Sequence, residues 1–82
     1  MTSNYDVVRV EFVPVYRLLV RFRNGTAGTV ELAESFFRGV FEDLRGPGRL
    51  AEAHCRNGFV EWPGELDLAP DAIRRSGHWR LD

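Results

Sequence analysis

The chain contains no lysine. All eleven of its basic residues are arginine, set against twelve acidic ones, for a net charge of −1. Charge this balanced argues against a strong general binder of nucleic acid or of an acidic membrane, which would carry a net positive charge or a basic run. With the many Gly, Ala and Val residues, the missing lysine reads first as the codon bias of a GC-rich bacterial genome. The functional alternative is planar, bidentate recognition of carboxylate or phosphate. Cysteine is nearly absent too. Cys55 stands alone, so an internal disulfide is excluded and a reducing cytoplasm is the expected compartment. No apolar run approaches the roughly 18 residues of a membrane span. The opening "MTSNYDVV" lacks the basic start and apolar stretch of a signal peptide, so no membrane partner is expected. There is no internal repeat, no Walker loop, no G-x-S-x-G and no dinucleotide fingerprint.

What the 82 residues do hold is the pattern of one domain, 1–82. "DVVRVEFV" (6–13) alternates: Val8, Val10 and Phe12 face one way, Val7, Arg9 and Glu11 the other. "YRLLVRF" (16–22) is a second strand, and Asn24-Gly25 signals a hairpin into a third. A three-residue loop, Arg23–Gly25, pairs Leu18 with Val30 and Tyr16 with Leu32. It also sets Arg17 opposite Glu31. A two-residue loop would place apolar residues against polar ones, so the three-residue register is expected.

Phe36, Phe37, Val40, Phe41 and Leu44 then recur at three- and four-residue spacings, the stripe of a helix packed on a sheet. Gly39 kinks that helix or splits it into two short turns. Pro47-Gly48 is a loop. A second hairpin turns at Asn57-Gly58, pairing Cys55 with Val60 and Ala53 with Trp62 on one face, and His54 with Glu61 on the other. Leu66 and Leu68 alternate with Glu65 and Asp67 in a short edge. Pro70-Asp71 opens a final helical turn that Gly77 stops. The expected class is α+β: a small, mostly antiparallel sheet in the order β-β-β-α-β-β, then the short edge and the terminal helical turn, with one helix packed on one face.

The candidates for chemistry are few. Adjacent strand residues point to opposite faces, so His54 and Cys55 make a poor thiol–imidazole pair, and Cys55 reads as a structural thiol. His54 and His78 are the only histidines, with no zinc-ligand spacing; His54 reads as a surface partner of Glu61. Glu61, Glu65, Asp67 and Asp71 form an acidic cluster. Leucines hold the alternate positions that a calcium loop would fill with ligands, so Asp67 and Asp71 read as caps of the Pro70 turn. No catalytic residue, metal site or cofactor is expected. Arg9, Arg17, Arg21 and Arg23 share the outward face of the first two strands with Leu19, an apolar residue framed by arginines. That face reads first as a solvated one, and Leu19 makes it a candidate partner surface alongside the region around Trp62 and Trp79; Trp79 is expected to pack back on the domain and is an interface anchor only if it does not.

Three stretches, "YRLLVRFRNGTAGTVEL", "GVFEDLRG" and "FVEWPGELDLAPDAI", resemble the small bacterial family catalogued as domain of unknown function 2442, over residues 5–75. The most specific piece is Trp62, Pro63, Leu66, Asp67, Leu68, Pro70 and Asp71, read here as structural. Many members carry Asn-Gly after the Trp-Pro, where this chain has Gly64-Glu65. Many end in Leu-Tyr, where it has Ile73-Arg74. The resemblance brings no catalytic residue with it. It implies a non-catalytic interaction or regulatory domain, one half of a toxin–antitoxin-like gene pair whose partner is the product of a neighbouring small gene. A homodimer, a nucleic-acid-binding regulator on the arginine face and, last, an enzyme on the acidic cluster are the other readings.

Overall fold

Alternating apolar and polar residues build three consecutive antiparallel strands, β1 (Val7–Val13), β2 (Arg17–Phe22) and β3 (Ala27–Leu32). The computed structural model describes residues 5–46 and 48–81, and of Val40 the backbone alone. The first hairpin has the predicted three-residue loop. Leu18 pairs with Val30 and Arg17 with Glu31. The Leu32 N–H donates to the Tyr16 carbonyl at 2.8 Å, and the Gly25 N–H closes the turn onto Phe22 at 2.9 Å. Leu18, Val20, Phe22, Val30 and Leu32 are buried on one face of this sheet.

β1 departs from strict alternation. Val7 pairs with Phe22 and Arg9 with Arg21, so Val8 is an extra residue in a bulge. Val7, expected to face outward, is 3% exposed, and Val8, expected inside, is 44% exposed. The Val7 N–H donates to the Gly58 carbonyl at 2.8 Å, which turns the start of β1 toward the second hairpin. Past the bulge, Val10 and Phe12 return to the inner face against Val20 and Leu18.

The predicted packed helix is absent. Two 3-10 segments, Glu34–Phe37 and Gly39–Arg45, stand in its place. Arg38 is extended and Gly39 has φ of 65°, which breaks the helical path between them. Phe36, Phe37, Phe41 and Leu44 still reach the core. Phe36 stacks on Phe41 at 4.7 Å and meets Phe37 edge-on at 5.1 Å; both Phe36 and Phe41 lie 6.1 Å from Trp62. Arg45 lies over the Phe37 ring at 5.0 Å and reaches Glu34 at 3.6 Å, tying the two segments together. Pro47, in the predicted Pro47-Gly48 loop, lies outside the described residues.

The expected single sheet is instead two. The second has three strands, β4 (His54–Arg56), β5 (Phe59–Trp62) and β6 (Leu66–Leu68). Cys55 pairs with Val60 and His54 with Glu61, in the predicted register around Asn57-Gly58. Trp62 is 1% exposed, and its indole N–H donates to the Leu50 carbonyl at 3.1 Å. Pro63–Glu65 is a hairpin loop that returns the chain to the same sheet, pairing Trp62 with Leu66 and Glu61 with Asp67.

Helix α1 (Pro70–Ile73) is the predicted final turn, with proline in its first turn. Its cap is Ala69, without a side-chain hydrogen bond. The capping role expected of Asp67 and Asp71 is therefore corrected: Asp67 is exposed on β6, and Asp71 pairs with Arg75 at 3.7 Å.

After α1 comes a strand that the sequence reading missed, β7 (Gly77–Leu81). It adds to β3 and gives the order β1-β2-β3-β7. The domain is thus mostly antiparallel β, seven strands in two sheets among the described residues. One short helix and 3-10 turns fill the gaps. Inner-face residues of the four-stranded sheet share one core with Val60, Trp62, Leu68 and Ile73.

Candidate protein interface

In an antiparallel ladder, paired residues point to the same side. The pairings therefore lay out the outer face of the four-stranded sheet in rows. Val13, Arg17, Glu31 and His78 make one row; Glu11, Leu19, Thr29 and Arg80 the next; Arg9, Arg21 and Ala27 the third. Leu19 sits in the middle row, half-buried among charged neighbours. The buried core lies on the other side of this sheet.

The charges on this face are unevenly matched. Arg9 bonds Glu11 at 2.6 Å. Among the described residues, Arg17, Arg21 and Arg80 have no carboxylate within ion-pairing reach, although Glu31 lies directly opposite Arg17 in the ladder. Arg9 and Arg21 face each other as like charges across β1 and β2, an arrangement that costs stability. Four arginines and two glutamates give the face a net positive charge on a chain whose net charge is −1.

Of the predicted partner residues, Arg9, Arg17, Leu19 and Arg21 are brought together here. Arg23 is not; it lies in the three-residue turn, where its N–H donates to the Asp6 carbonyl. Trp79 is on the inner side, 5.8 Å from the Phe22 ring, with the Arg74 guanidinium over it at 5.4 Å. Thr29, His78 and Arg80 are additions from β3 and the missed strand. The signal for β7 was the alternation in "GHWRL", with His78 and Arg80 on one face and Trp79 and Leu81 on the other.

The other candidates resolve into local structure. Cys55 is half-buried opposite Val60, and burial pushes its thiol up from the ordinary range. His54 is on the opposite side of that hairpin. Its Nδ1 lies 3.2 Å from the Glu52 carbonyl and its Nε2 3.0 Å from Glu61 Oε1. The backbone bond, then the Glu61 bond, raises its pKa above the ordinary 6.5. Glu61 also meets Arg56 at 3.6 Å. Among the described residues, no three His, Cys, Asp or Glu side chains are grouped to hold a metal ion. Nor, among the described residues, is any helix long and apolar enough to cross a membrane. A groove lined by Tyr5, Asp6, Phe22, Pro70, Asp71 and Arg74 lies beside α1 and includes the last two residues of the family-like motif.

A family model described as protein of unknown function, DUF2442, matches residues 7–78. No curated protein and no solved structure matches the chain.

Proposed function

The chain belongs to the DUF2442 family, and on that premise we propose that it is a non-catalytic protein-interaction domain working through the outer face of its four-stranded sheet. One observation carries the reading. Leu19 stands at the centre of a face whose arginines Arg17, Arg21 and Arg80 lack carboxylate partners among the described residues. Arginine is enriched at interfaces and among their hot spots, and Leu19 adds apolar area for a partner to cover between the three arginines. The partner we propose is the product of a neighbouring small gene, with this chain as the neutralising or regulatory half of the pair. Co-expression of the two, with tagged co-purification and a growth assay, tests it. The expected result is a complex and relief of any toxicity of the neighbour; no complex and no rescue would reject the pairing.

Arg80 favours a second reading, a nucleic-acid-binding regulator, because it extends the basic surface to a third strand. Glu11 and Glu31 on the same face weigh against it. Such a regulator would bind DNA or RNA with an affinity that falls steeply with salt, through counterion release. Flat or absent binding at low salt removes this reading.

A further inference from the structure

We infer that the outer sheet face takes an acidic protein segment, one that sets an apolar side chain on Leu19 between carboxylates directed at Arg17, Arg21 and Arg80. The inference rests on the interaction reading above and supplies the partner's chemistry.

Arg17 and Arg21 flank Leu19 at two residues on either side, all on one face of β2. Their Cα atoms are therefore about 14 Å apart, at about 3.4 Å per residue. A segment carrying acid, apolar residue and acid matches that spacing when extended, at positions i, i+2 and i+4. A helix matches it at i, i+4 and i+8. Arg80 lies two strands from Leu19 along the same row, beyond Thr29. That is about 10 Å, within reach of a third carboxylate.

The face asks for carboxylates in particular. A guanidinium binds one bidentately, and none of the three arginines has such a partner among the described residues. An incoming carboxylate beside Arg21 would also relieve its like-charge contact with Arg9. A continuous phosphate backbone fits less well. Glu11 and Glu31 interrupt the face, and its rows hold no aromatic ring for bases to stack on. A second copy docking by the same face would bring arginines against arginines.

The test is selection from a random twelve-residue peptide library displayed on phage, panned against the full chain and against the R17Q/R21Q/R80Q and L19S variants. All four positions lie on the outer face, and circular dichroism confirms that the variants fold. The expected result is enrichment on the wild type of acidic peptides with an apolar residue between carboxylates. Their affinity should fall about tenfold or more in either variant and decline with salt. Enrichment of peptides that bind the triple variant equally well overturns the acidic-segment inference and leaves the interaction reading standing on another surface. Absence of any enrichment overturns both. A random 30-base-pair duplex that binds in place of peptides, and is lost in the triple variant, assigns the face to nucleic acid and overturns the inference.

Discussion

The indole of Trp79 lies over the Cα of Gly28. A Cβ at position 28 would come 2.5 Å from Trp79 Cζ2, well inside contact distance. The absence of a side chain on β3 is what lets β7 close onto it with its tryptophan turned inward. Gly28→Ala should therefore displace Trp79 and cost about 1–3 kcal/mol, as overpacking does. A thermal melt reads the loss, and fluorescence quenching reads the exposure of Trp79. An unchanged melt would mean that the ring does not sit on this glycine.

Glu65 has φ of 63°, a left-handed conformation that an L side chain adopts at a cost. Glu65→Gly should raise stability by about 0.5–1 kcal/mol, with no loss of contacts from an exposed side chain. Urea unfolding is the measurement; a lowered midpoint would show that Glu65 has a role beyond the turn.

His54 offers a pH dependence with a definite sign. Both ring nitrogens face acceptors, which favours the doubly protonated form and raises the folded pKa. The contribution is fully present below the unfolded value of about 6.5 and is lost as pH rises through the folded value. In an NMR titration the ring should change state above 6.5, and Glu61→Gln should lower the midpoint. A midpoint at or below 6.5 in the wild type contradicts the contacts.

Trp62 holds the second sheet to the 3-10 turn at Leu50 through a buried hydrogen bond. Trp62→Phe removes the indole donor and leaves the Leu50 carbonyl only the longer 3.3 Å bond from the Ala53 N–H, so the lost hydrogen bond should cost about 0.5–1.5 kcal/mol. Equal stability of the variant would mean that the Ala53 N–H alone satisfies that carbonyl.

Both hairpin registers were legible because a local turn signal and a long-range apolar pattern agreed. At Asn24-Gly25 and Asn57-Gly58, only one loop length keeps Leu18 with Val30 and Cys55 with Val60. The bulge at Val8 was not legible, since it depends on the bond from Val7 to Gly58, fifty-one residues away. The helix misled for a different reason. Phe36, Phe37, Phe41 and Leu44 fall at spacings that a helix and two 3-10 turns share, and the choice is made by the backbone of Arg38 and Gly39. β7 is five residues long with no hairpin turn before it, so its alternation was too short to stand out. Missing it left Arg80 off the candidate face, whereas Trp79 packs back on the domain as expected. Arg9, Arg17, Leu19 and Arg21 were legible because strand alternation alone groups them.

Leu19 and its arginines are the proposed docking surface. The most direct measurement is the dissociation constant of the complex with the neighbouring gene's product, for the wild type and for Leu19→Asp. Asp67→Asn, on the other sheet, serves as the control. Leu19→Asp should weaken binding by about a hundredfold or more, as at a central hot spot, while the control binds as the wild type does. A complex that forms with undiminished affinity in a folded Leu19→Asp variant would contradict it.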